Sequence, residues 1–143
     1  MAIRIKLEGF DELLQEIEAA GRAADSAAES AVKAAAQVMQ QEMKSALSAA
    51  TDSGLAQRLP APQIEKNGNE IVARVGFIST PYNASAPSDY FKAIFLNYGT
   101  PNRKKHGQEA ARGFVTKAKR RARPKIKKAQ QEALEKILSR LQK

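Results

Sequence analysis

The sequence predicts an α+β fold, and three observations carry that reading. At the start, Ile3, Ile5 and Leu7 alternate with Arg4, Lys6 and Glu8, the period of a half-buried strand. Residues 26–50 hold neither Gly nor Pro and carry a single apolar stripe at helical spacing. Asn67-Gly68 stands between two short runs with hairpin character, the dipeptide that a tight two-residue turn favours. Together they give an N-terminal strand, a long Ala-rich helix, a small antiparallel sheet with a hairpin at Asn67-Gly68, and one or two C-terminal amphipathic helices.

The elements follow in order. Gly9-Phe10-Asp11 turns the chain after the first strand, and Asp11 is placed to cap a short helix striped by Leu13, Leu14 and Ile17. Gly21 interrupts that helix. Ser26-Ala27-Ala28-Glu29 has capping-box spacing, in which hydroxyl and carboxylate satisfy each other's free amides. Val32, Ala35, Met39, Met43, Ala46 and Ala50 then line one face of the long helix, which Thr51-Asp52-Ser53-Gly54 ends. After the hairpin, Ile71, Ala73, Val75 and Phe77 share a strand face. Residues 90–98 are apolar almost throughout, so period cannot separate strand from helix. The aromatics there favour a buried strand, with a short helix as the alternative. Pro124 suits the first turn of a last helix, whose apolar face is Ile126, Ala129, Ala133, Leu134, Ile137, Leu138 and Leu141.

With 143 residues, 43% of them apolar, the chain can bury a core and reads as one domain over 1–143. It has no run of 18 apolar residues for a membrane helix and no evident signal peptide. The absence of cysteine excludes disulfides, thiol catalysis and thiolate metal sites. The net charge of +9 is unevenly placed. Residues 1–60 sum to about −3, whereas 103–128 carry twelve cations against Glu109 alone, a localised device. Residues 103–122 are expected to be basic and mobile.

The densest signal lies between 90 and 114. An apolar run ends at Asn97-Tyr98-Gly99-Thr100-Pro101, where Gly99 supplies backbone freedom and Pro101 bars Thr100 from helical geometry. Arg112-Gly113-Phe114 follows inside the basic segment. This order resembles the neck or tail-completion family of long-tailed bacteriophages, the head–tail joining proteins of the "gene product ten" type. Gly9-Phe10-Asp11-Glu12-Leu13-Leu14, Ser53-Gly54-Leu55-Ala56-Gln57-Arg58-Leu59 and Val75-Gly76-Phe77 fill further positions of that pattern, so the likeness covers nearly the whole chain. Where the family often has a glutamate, this chain has Asn97. Where it often reads Ala-Arg-Pro-Phe, this chain has Ala111-Arg112-Gly113-Phe114. The resemblance implies a virion structural protein, made in the bacterial cytoplasm, that works as a ring of identical copies between the capsid's connector or portal and the tail. A closed ring needs heterologous contacts, and its tube would pass DNA.

The resemblance implies Tyr98, Gly99, Thr100, Arg112, Gly113 and Phe114 as assembly candidates, while the residue types of Tyr98-Gly99-Thr100 solve a backbone problem and read first as structural. Phe114 could enter a partner's pocket, with Arg112 on a carboxylate, or cap the chain's own core. Arg103, Lys104, Lys105, Lys117, Lys119, Arg120, Arg121 and Arg123 could face an acidic neighbour or DNA phosphates, the latter giving salt-sensitive, sequence-independent binding. The rival reading is accordingly a nonspecific basic DNA-binding module. Only Phe114 interleaves with these cations, against the aromatic platforms that bind single strands. His106 is the single histidine, which excludes the two-histidine metal motif. No metal, no cofactor and no catalysis are expected, and no membrane partner.

Overall fold

A computed structural model describes residues 2–68, 70–99 and 113–142. Strand β1 (Ala2–Ile5) leads to helices α1 (Asp11–Ala19) and α2 (Ala24–Ala50). After a single 3-10 turn (Ala56–Arg58), strands β2 (Gln63–Asn67) and β3 (Glu70–Gly76) form a hairpin, followed by helices α3 (Asp89–Tyr98) and α4 (Phe114–Leu141). The sheet is antiparallel with order β1-β3-β2. This is the α+β architecture expected, with one difference of weight: most of the fold is helix packed on helix.

One face of the sheet packs on α2, and the other carries charged residues around the buried Val72. Ile3, Ile5, Ala73 and Val75 are buried with Met39, Met43 and other residues of α2. The alternate residues lie on the other side, where Lys6 pairs with Glu70 and Arg74 with Glu65, the latter at 3.5 Å. Small residues set the helix spacing. Ala31, Ala35 and Ala36 of α2 and Ala118 and Ala122 of α4 are all buried, so the two long helices can lie close. Lys125 of α4 also reaches Glu42 of α2, whose side chain is largely withdrawn from solvent.

A second, smaller cluster holds α1 in place. Phe10, Ile17, Ala27 and Ala31 pack with Leu134, and Leu13, Leu14, Ile137 and Leu138 flank them. Gly21, at φ +81°, makes the bend between α1 and α2, a value that favours glycine.

Five local expectations are corrected. Residues 90–98 form a helix, not a strand: Ala93, Leu96 and Asn97 are its buried residues, the i, i+3, i+4 set of one helical face. The hairpin pairs Asn67 with Glu70, so its loop is 68–69, one residue beyond the expected Asn67-Gly68. Gly68 there has φ +59°, the sign that a primed turn requires; Asn69 lies outside the described residues. Helix α4 starts at Phe114, and Pro124 is in its interior. Lys, Arg and Ala are strong helix formers, and Pro124 is exposed, where water can serve the carbonyl that its missing N–H would have bonded. Asp11 is in the first turn of α1, and the N-cap position belongs to Phe10. Ser26 and Glu29 do not form the capping box, because α2 already begins at Ala24 without a side-chain cap.

Glu29 instead joins α2 to the hairpin, accepting from Lys66 at 2.7 Å and Lys33 at 3.2 Å. Lys66 first, and Lys33 after it, hold its carboxyl below the ordinary value of 4.5.

Candidate assembly surface

The corner between α3 and α4 is built around one buried polar residue. Asn97 lies in the last turn of α3 and is 7% exposed. Its backbone carbonyl accepts the Gly113 N–H at 3.1 Å, and its side-chain Oδ1 accepts the Val115 N–H at 3.1 Å. The reason lies in the helix that follows. The first amides of a helix have no partners within it, and a side chain at the N-cap normally serves one of them. The N-cap of α4 is Gly113, which has no side chain. Asn97 supplies the cap from a different helix. Gly113 itself takes φ +58°, and Gly99, which closes α3, takes φ +83°.

Asn97→Ala is therefore expected to cost about 1–2 kcal/mol of stability. Hydrogen exchange checks this directly: the Val115 amide should lose protection more than amides in the middle of α4.

The assembly candidates separate into three groups. Tyr98 is 72% exposed, beside the structural residues Gly99 and Gly113. Phe114 is 1% exposed and belongs to the main core. Of the two readings of Phe114, that burial matches the one in which it caps the chain's own core: Phe114 anchors the first turn of α4 in its own chain. Thr100, Arg103, Lys104, Lys105 and Arg112 lie outside the described residues, as does His106. The basic candidates Lys117, Lys119, Arg120, Arg121 and Arg123 are all exposed on the first half of α4. Of the segment expected to be mobile, 114–122 is helical and 103–112 lies outside the described residues.

Sequence reasoning missed an aromatic group at the surface. Tyr82, from the loop before α3, is 50% exposed. Its ring centroid is 5.0 Å from that of Phe91, with the rings at 68°, and 6.3 Å from that of Phe95. Phe91 and Phe95 are one helical turn apart on α3 and half-buried. Edge-to-face contact of this kind is a favoured aromatic geometry, and here it leaves apolar surface uncovered. Phe91 and Phe95 at i, i+4 were a legible signal once the segment is taken as a helix; Tyr82, across a Pro/Ser/Asn loop, was not. Arg58 fixes the start of α3 by donating through Nε to the Asp89 carboxylate, at 3.1 and 3.2 Å.

No group of His, Asp or Glu able to hold a metal occurs among the described residues, and no described helix is long and apolar enough to cross a membrane. No curated protein and no solved structure matches the chain. Residues 11–99 match a protein family described as "Bacteriophage HK97-gp10, putative tail-component". The matched span opens on the first residue of α1 and closes on Gly99, taking in α2, the hairpin and α3. In agreement with the order of its motifs, the chain belongs to this HK97-gp10-like family of phage tail components.

Proposed function

We propose that this protein is a structural component of a phage or prophage virion that assembles as a ring of identical copies at the head–tail junction. There it completes the neck or the upper end of the tail and joins it to the connector of the capsid. The observation that supports this best is the aromatic surface beside the corner: Tyr82, Phe91, Phe95 and the exposed Tyr98. Aromatic residues at the surface are typical of the buried centre of protein interfaces. The role is binding without catalysis, and the partners are further copies of the chain and the connector and tail proteins on either side.

A second reading has its own support. Eight cations between Lys117 and Lys128 face no acid within that span, and such a surface suits DNA phosphates. In a ring it could meet the passing genome; alone, it would make the chain a nonspecific DNA-binding module.

Cryo-electron microscopy of particles carrying an epitope-tagged copy tests the proposal. Ring density between capsid and tail is the expected result. Absence of the tag from purified particles overturns it and brings the DNA-binding reading forward.

A further inference from the structure

A groove of about 460 Å³ runs between β1 and α4. Ile3, Arg4, Ile5, Lys6 and Glu8 line it, with Met39 of α2 and, on the opposite wall, Lys119, Arg123 and Ile126. Successive strand residues point to opposite faces of a sheet. A groove that touches four in a row therefore lies along the edge of the strand. β1 is an edge strand, with β3 on its other side.

The pairing shows which backbone groups that edge presents. In an antiparallel sheet, hydrogen-bonded and non-hydrogen-bonded pairs alternate. A two-residue loop closes on a hydrogen-bonded pair, here Asn67 with Glu70, so Glu65 with Val72 and Gln63 with Arg74 are bonded pairs as well. Arg74 thus faces β2, and it is Ala73 and Val75 that face Ile5 and Ile3. Arg4, opposite Arg74, must turn its N–H and C=O outward into the groove. The contact two residues along agrees: the Lys6 carbonyl accepts Gln130 Nε2 of α4 at 3.3 Å. Gln130 closes that end of the groove, and among the described residues no bond to the Arg4 backbone groups across the groove occurs.

We infer that this groove takes an acidic, extended segment of another protein by strand addition to β1. An unpaired edge is a template for a further strand. The groove follows β1, which is four residues long. Arg4 stands on one rim and Lys119 and Arg123 on the other, against the single acid Glu8, while Lys6 is paired with Glu70. The rim cations repel basic strands, β1 of a second copy included, and favour alternating carboxylates. A folded sheet edge cannot enter, since α4 forms the far wall, so the occupant is a flexible segment. That its owner is another protein of the particle rests on the phage reading above; the binding itself does not.

The test uses the isolated chain and a capped hexapeptide alternating glutamate and valine, followed by amide NMR. The expected result is a shifted Arg4 amide whose exchange slows on the order of tenfold or more on pairing. The same peptide with lysine for glutamate should leave it unchanged. The double variant Lys119→Glu/Arg123→Glu, at two exposed positions, should keep the spectrum of the folded chain and weaken acidic-peptide binding on the order of tenfold or more. The inference is overturned if the acidic peptide at millimolar concentration leaves Arg4 untouched, if both peptides act alike, or if shifts appear on α4 without β1. Because particles are not involved, failure here leaves the ring reading standing, and absence from the virion would leave the groove standing.

Discussion

Phe114→Ala is expected to lower the stability of the isolated chain by about 3–5 kcal/mol, the range for emptying a fully buried aromatic site. Small domains hold only about 5–15 kcal/mol in total, so the variant should approach the edge of folding at ambient temperature. The side chain is among the largest that are fully buried. It also stands one residue after the Asn97–Gly113 bond, at the point where α4 is anchored. The loss should therefore begin at the corner. Urea unfolding should show a lower midpoint with an unchanged slope, and Phe114→Leu should recover most of the loss. An unchanged midpoint in Phe114→Ala would return the residue to the surface and restore the idea of a partner's pocket.

Leu134→Ala tests the other end of α4. Leu134 is fully buried and joins Phe10, Ile17, Ala27 and Ala31. Truncation is expected to cost about 2–5 kcal/mol. The pattern of the loss is as informative as its size. Helix α1 has nine residues, too few to persist without tertiary contacts, so its amides should exchange first while β3 and the middle of α2 stay protected. If α1 kept its protection in this variant, the smaller cluster would not be what holds it. Together the two substitutions ask whether the helical layer opens from both ends independently, as residues without shared partners should allow.

The long-range features of the fold were legible where one pattern ran uninterrupted. The α2 stripe named Val32, Ala35, Met39, Met43 and Ala46, all of which are buried. Of the strand face Ile71, Ala73, Val75 and Phe77, the last three are buried and Ile71 is partly buried, with Phe77 just beyond the end of β3. Failures came where two physical signals competed. In 90–98 the aromatic side chains outweighed the punctuation around them: Ser88 and Asp89 before the run and Gly99 after it are helix start and stop residues. In α4, proline's preference for a helix start competes with Ala118 and Ala122, one turn apart, which mark a buried helical face ahead of Pro124. Asn97 was the least legible. A polar residue in an apolar run and a glycine at a helix start sixteen positions later are each ordinary; only the fold makes one the remedy for the other. The edge groove is likewise a product of topology, since nothing in Ile3-Arg4-Ile5-Lys6 says which neighbour the strand will lack.

The Asn97–Gly113 bond has a consequence for how the chain can vary. Because one backbone contact holds Asn97 beside Gly113, the end of α3 and the start of α4 are tied to each other directly, sixteen positions apart in the sequence. Closing a loop across a fixed gap grows only logarithmically more costly with length, about 0.6 kcal/mol for each doubling. Residues inserted between the two helices are thus expected to cost little stability for as long as the Asn97–Gly113 contact is kept, which makes the corner a hinge-free anchor for a graft.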